Sequence, residues 1–380
     1  MAIIGIDATS VSLWGKGLSV YQYGFIRALA AAASLNDYYI FLDKNNPLPQ
    51  LPSRSNFYYI KTDIPNRIIW DQFQLPALIK KYKIDLYYTS HDTLPLFSRI
   101  KLVTYLFEIP DYRLSSAAKT ARSLYARASR AYIRSIFKPS LKNAHVIIVS
   151  SQSTKSDLVN KYGVPQAKVR VVYPDVDDLF VPAKNEQVKI ETRKKYNAEE
   201  GYVLHISSND PRDNTAVVIR AFHKAMDKFN LRKKLIIAGD VGFIKGALEE
   251  LIKELSLGGQ VIFTGYFPSD QYNRLVELYQ AADLYIDPSL YEGFGLQVLE
   301  AMSCGLPVVT SNVTSLPEIV GIAGIMVEPD DIDGLASAMA KILSSSQVMR
   351  DMSQISLEKV KEFSWEKHVR EVLKICAEKS

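Results

Sequence analysis

Cysteine is almost missing: the chain of 380 residues holds Cys304 and Cys376 and no other. Two thiols so far apart build no disulfide framework and match no metal-ligand spacing, which predicts a reducing, cytoplasmic setting. Long apolar runs are missing as well. No stretch reaches the roughly 18 to 20 apolar residues that cross a bilayer as a helix. The opening MAIIGIDATS lacks a basic region and carries Asp7 where a signal peptide would be apolar. Low-complexity tracts and internal repeats are absent too. Acid is missing from one segment. Between Tyr112 and Ser156 there is no Asp or Glu, yet Arg113, Lys119, Arg122, Arg127, Arg130, Arg134, Lys138, Lys142 and Lys155 fall there. The net charge is only +5, so this local excess is what would attract anions: lipid headgroups, phosphates or nucleic acid. No nucleic-acid motif accompanies it, and a nucleic-acid partner is not expected.

What is present is an ordinary globular composition, 47% hydrophobic and 23% charged, in a chain too long for one core. Short runs rich in Ile, Val and Tyr read as strands: 2–6, 38–42, 57–61, 86–89, 101–106 and 146–150 in the first half. The second half gives 202–207, 234–239, 261–264, 284–286, 307–310 and 325–327. Helical periodicity fills the gaps at 20–33, 71–81, 214–229, 244–255, 269–282, 296–303 and 332–344. Such alternation predicts an α/β protein with parallel sheets covered by helices. Two series predict two Rossmann-like domains, 1–175 and 176–363, with a C-terminal helix over 364–380 joining the first. Ligands of open parallel sheets bind beyond the carboxyl ends of strands, so a cleft between facing sheets is expected.

The strongest local signal is PSLYEGFGLQVLEAMSCGLPVV, Pro288 to Val309. A strand runs into a loop with Glu292, Gly293, Phe294 and Gly295, and a helix starts near Leu296 with Glu300 on its first turns. Glycines let backbone approach a ligand, and amides at a helix start favour a diphosphate. An ionised carboxylate only accepts, and it suits a ribose diol. Glu292 would face hydroxyls of the group beyond the diphosphate. A lone Gly-x-Gly usually just links a strand to a core helix; two glutamates flanking this one argue for more.

EGFGLQVLEAMSCGLPVV, with Glu292 and Glu300 in an E-x7-E arrangement, resembles family 4 of the retaining glycosyltransferases, which have the GT-B fold. GKGLSVYQYGFIRAL (Gly15–Leu29) is similar to that family's Gly-rich first loop, and similarity extends over nearly the whole chain. The resemblance implies sugar transfer from a nucleotide-diphosphate sugar to a glycan or lipid-linked acceptor, with retention and with no metal or cofactor. Glu300 would bind the donor ribose, and Glu292 the donor sugar. The amides of Gly293, Phe294, Gly295 and Leu296 would hold the diphosphate or sugar. Tyr266 and Phe267 would lie by the base, and Gly15, Lys16 and Gly17 would close over the diphosphate or acceptor.

Two parts of that pattern are missing. SSNDPRDNT puts Asp213 where the family has a diphosphate-neutralising Lys, leaving Arg212 as the nearby cation. Arg212 reads either as the diphosphate ligand or as a surface residue paired with Asp210 or Asp213, and Asp213 as a cap for the helix from Asn214. TYLFEIP puts Leu106 and Phe107 where a His-Asp pair is expected, and His91-Asp92 is the nearest substitute. These losses keep a second reading open: a nucleotide-sugar-binding protein with little catalysis. Asp175-Val176-Asp177 reads as a turn rather than a metal-binding Asp-x-Asp. Finally, 117–137 reads as an amphipathic helix, with Leu124, Ala128, Ala131 and Ile136 interleaved by Arg122, Arg127, Arg130 and Arg134. It either lies on anionic lipid at the inner face of the membrane or lines the acceptor side.

Overall fold

The computed structural model describes residues 2–13, 17–32, 34–112, 124–268 and 271–378, with backbone alone at 124–126. The chain divides into two compact units, Met1–Asp175 with Phe363–Ser380, and Val176–Glu362. Both are α/β with a fully parallel sheet, as the alternation of runs predicts.

Unit 1 holds β1 (Ile3–Asp7), β2 (Asp37–Asp43), β3 (Phe57–Thr62), β4 (Leu86–Thr89), β5 (Lys101–Leu106), β6 (Val146–Val149) and β7 (Val169–Val171). Their spatial order is β3-β2-β1-β4-β5-β6-β7. Side chains alternate between two cores, as a period of two requires. Val103, Tyr105 and Ile148 pack one face with Phe25 and Ile26 of the helix Leu18–Ala31. Leu102, Leu106, Ile147 and Val149 pack the other with Leu75, Phe137 and Leu141. The helix Trp365–Ala377 closes the first face against Leu18–Ala31. Gly24 permits the contact, since a Cβ there would lie 2.5 Å from Trp365 Cζ2.

Unit 2 holds β8 (Tyr202–Ile206), β9 (Lys234–Ala238), β10 (Val261–Gly265), β11 (Leu284–Asp287), β12 (Val308–Ser311) and β13 (Gly324–Val327), ordered β10-β9-β8-β11-β12-β13. Val203, Leu235, Ile237, Leu284 and Ile286 pack with Val218 and Phe222 of the helix Thr215–Phe229 and with Leu335 and Met339 of Ile332–Leu343. Each sheet reverses direction of growth once, beside β1/β4 and beside β8/β11. That is the switch point where open parallel sheets bind ligands.

Three sequence expectations need correcting. The helix expected over 71–81 is a π-turn, Trp70–Gln74, followed by Leu75–Tyr82. Pro76 has no amide to continue an ordinary ladder, and Leu75 N–H reaches back five residues to the Trp70 carbonyl. The basic helix runs Leu124–Asn143, with 113–123 outside the described residues. Its buried face is Phe137, Ser140 and Leu141, whereas Ala128 and Ala131 are exposed. Asp213 does not cap Thr215–Phe229. Asn214 stands at that cap, and Asp213 turns inward to accept from Ser208.

Candidate functional site

At the switch point of unit 2, two loops meet at the carboxyl ends of β8 and β11. The Leu290 amide donates to the Arg212 carbonyl at 2.8 Å, and Asn214 Nδ2 donates to the Pro288 carbonyl at 3.1 Å. The second loop is fixed from β12's side. Thr314 Oγ1 accepts from the Glu292 amide at 3.0 Å, and Ser315 Oγ donates to the carbonyls of Glu292 and Phe294 at 2.9 and 2.8 Å. Gly293, Phe294 and Gly295 are buried, and Glu292 is half-buried. Gly295 caps the helix Leu296–Ser303 with φ 104°, in the left-handed region that glycine adopts without strain. A Cβ there would also stand 2.8 Å from Leu316 Cδ2. Among the described residues nothing accepts from the amides of Gly295, Leu296 and Gln297, so the helix start keeps its donors for an anion.

Glu300 lies on the same helix and is 8% exposed. Tyr279 Oη donates to Oε2 at 2.8 Å, and Tyr272 Oη to Oε1 at 3.4 Å. Among the described residues it has no cationic partner. Burial pushes its carboxyl up to about 7 against those two hydrogen bonds. A carboxylate acquires two or more further hydrogen bonds readily, and a diol supplies two donors. The tyrosines are the part of this site that sequence reasoning missed. Their spacing of seven residues puts both on one face of the helix Tyr272–Ala281, which is the signal that was available.

The remaining expected residues fall as follows. Arg212 is paired with Asp210, Nη2 to Oδ2 at 2.8 Å, and its guanidinium lies 5.9 Å from the Tyr291 ring. Tyr266 follows β10 and is 38% exposed, so its ring is presented. Phe267 is buried, with Arg274 over its ring at 5.2 Å, and presents none. Gly15 and Lys16 lie outside the described residues; Gly17 caps Leu18–Ala31 at φ 34°. Leu106, where a histidine was expected, is a buried β5 residue.

The switch point of unit 1 is filled with charge. Asp7, at the end of β1, accepts from Thr9 Oγ1 (2.6 Å), Tyr87 Oη (2.7 Å), Arg67 Nη2 (2.9 Å) and Thr89 Oγ1 (3.2 Å). The same Arg67 nitrogen lies 2.9 Å from Asp71 Oδ1. Arg67 and His91 hold the Asp7 carboxyl far below the usual range although burial opposes them, whereas burial pushes Asp71 up to about 6. His91 Nε2 stands 3.3 Å from the hydroxyls of Thr9 and Ser10. Among the described residues no three His, Cys, Asp or Glu come together as metal ligands, and no helix is long and apolar enough to cross a membrane.

A family model described as Glycosyltransferase Family 4 matches residues 15–178, and one described as Glycosyl transferases group 1 matches residues 200–345. Between them they span most of both units. The chain belongs to the family 4 type of glycosyltransferases. The O-antigen chain mannosyltransferase B of Escherichia coli is 27% identical to this glycosyltransferase over 364 residues, 92% of this chain and 93% of that one. Among solved structures, a sucrose-phosphate synthase from Thermosynechococcus elongatus superposes with a TM-score of 0.74 at 23% identity, covering 99% of this chain and 98% of that one. The Anabaena HepE protein in complex with UDP and glucose gives 0.71 at 18% identity over the whole of both chains. Their shared fold is GT-B, and this glycosyltransferase has that fold; the matched family models and the mannosyltransferase relative make its role sugar transfer in glycan biosynthesis.

Proposed function

We propose that this enzyme moves a hexosyl residue from a nucleoside-diphosphate sugar to a growing glycan, without a metal ion and with retention of anomeric configuration. The observation that carries the reading is Glu300: a buried carboxylate held by two phenols and, among the described residues, by no cation, on a helix whose first amides are open. Such a carboxylate is costly unless a ligand completes it, and a ribose diol does so. The diphosphate then lies on the amides of Gly293 to Leu296, with Arg212 as its cation once drawn from Asp210. Those donors stabilise the departing charge, which is the work a metal would otherwise do. Glu292 orients the sugar hydroxyls, and Tyr266 flanks the base. The acceptor proton passes to the leaving diphosphate on the same face of the sugar, so no protein nucleophile is needed.

The mannosyltransferase relative makes a mannosyl unit the first sugar to try, and HepE's bound UDP makes a nucleoside diphosphate the first ligand. Calorimetry against UDP-, GDP- and ADP-sugars identifies the donor. NMR of the product, made with a chelator present, reads its anomeric configuration. An inverted product, or activity abolished by the chelator, overturns the mechanism. A donor that binds tightly yet is neither transferred nor slowly hydrolysed, in wild type, favours a binding protein without catalysis.

A further inference from the structure

Asp213 stands at the switch point of unit 2 with no part in the donor binding described so far. It is half-buried, and its carboxyl ties back the loop after β8: Oδ2 accepts from the Ser208 hydroxyl at 2.7 Å and from the Ser208 amide. That loop is the one docked on the donor loop, through the Leu290 amide to the Arg212 carbonyl and through Asn214 Nδ2 to the Pro288 carbonyl. β8 and β11 are neighbours in the sheet, so Asp213 lies at the rim of the crevice beyond their carboxyl ends. Among the described residues it has no basic partner, and the adjacent Arg212 is turned to Asp210. Two more carboxylates lie within electrostatic reach, Asp210 and Asp287. Asp287, at the end of β11, is itself engaged by the amide and hydroxyl of Ser289. Burial, opposed by the Ser208 hydrogen bonds and aided by these two acids, pushes the Asp213 carboxyl up to about 6, so at pH 8 it is ionised.

An uncompensated carboxylate beside a diphosphate repels it. That repulsion becomes selective when two ligands of the site differ in charge. In a nucleoside-diphosphate sugar each phosphate is a diester with a single ionisation. Freed of the sugar, the terminal phosphate ionises again at about pH 6, and the molecule gains one more negative charge. Transfer makes this change: the bond from the anomeric carbon to the diphosphate oxygen breaks and a bond to the acceptor oxygen forms. The acceptor proton, taken up by the diphosphate, is then lost to water above that pH. We infer that Asp213 is a specificity-determining residue of the donor site, which favours the sugar ester over the free nucleoside diphosphate and so expels the product. The inference rests on the proposed reading of this crevice as the donor site.

Calorimetry on the purified full chain at pH 8 tests it, with UDP, GDP and ADP and their hexose esters as probes. Asp213→Asn removes the charge and keeps an oxygen for the Ser208 donors; Asp213→Lys reverses the charge. One unit charge acting over roughly 10 Å at a half-buried, salt-screened site changes binding about fivefold. Asp213→Asn should therefore tighten both ligands, the free diphosphate about fivefold more than its ester. Asp213→Lys should widen that difference to about twenty-five-fold, and inhibition by the product should strengthen in step. Ser208→Ala cuts a hydrogen bond and leaves the charge, so it should move both ligands alike. If Asp213→Asn and Asp213→Lys shift ester and free diphosphate by equal factors, or if Ser208→Ala changes their ratio as much, Asp213 only braces the loop and the inference falls. A wild type that binds none of the probes refutes the donor-site reading instead.

Discussion

The two units share one strand order around the switch point and use that point in opposite ways. In unit 1 the carboxyl end of β1 is saturated: Asp7 is met by Arg67, three hydroxyls and the edge of His91, and Arg67 is met again by Asp71. In unit 2 one of the buried acids, Glu300, has two phenols and no cation among the described residues, and burial pushes its carboxyl up to about 7. The same architecture is thus closed by ion pairs in one copy and left electrostatically incomplete in the other. An incomplete site costs stability in the empty protein and returns it on binding. That is the expected signature of a site kept for a ligand.

The largest test attacks the saturated copy. Arg67→Met leaves Asp7 ionised and buried without its counter-charge, and should cost about 3–5 kcal/mol. All three tryptophans (Trp14, Trp70 and Trp365) belong to unit 1, so tryptophan fluorescence in urea follows that unit alone. A shift under about 1 kcal/mol would remove the contrast. Next, Glu300→Gln should weaken nucleoside-diphosphate binding by about 1.5–3 kcal/mol, the worth of hydrogen bonds to a charged acceptor. At pH 8 it should also raise the stability of the empty protein by about 2 kcal/mol, because burial no longer opposes a charge.

The sign of the pH effect follows from the raised value. Above about 7 the carboxyl is ionised and, on the proposed reading, would accept from the diol; below it a proton occupies one oxygen. Calorimetric affinity should therefore be flat at alkaline pH and fall by up to about tenfold per unit below that point, a dependence that Glu300→Gln abolishes. Gly295→Ala should cost about 1–2 kcal/mol for the left-handed backbone alone, with Leu316 in the way as well, and transfer should fall with it. The smallest effect is expected at Asp210→Asn, which releases Arg212. The pair is about one fifth exposed and an ion pair still open to water is worth about 1 kcal/mol or less, so diphosphate should bind at most severalfold tighter. Weaker binding would mean that Asp210 orients Arg212 rather than occupying it.

Much of this was readable in the sequence because it is local. VIIV and LYID are buried on both faces, so their apolar runs declare parallel strands directly. The loop from Glu292 to Gly295 declares itself by its glycines. Contacts across the fold do not. Tyr272 and Tyr279 come from 28 and 21 residues before Glu300, and Arg67 and Tyr87 from 60 and 80 residues after Asp7. Periodicity says that such side chains are inside, never which hydroxyl meets which oxygen. Asp213 shows the same limit: beside a helix start it reads as a cap, and only the path of β8's loop reveals Ser208 as its partner.

One feature of the chain path reaches beyond the site. The helix Trp365–Ala377 packs on Gly24, across the whole of unit 2 in sequence. During synthesis all of unit 2 is therefore made before the helix that covers Tyr21 and Phe25, so the first unit can close this face of its core only after the second has been translated.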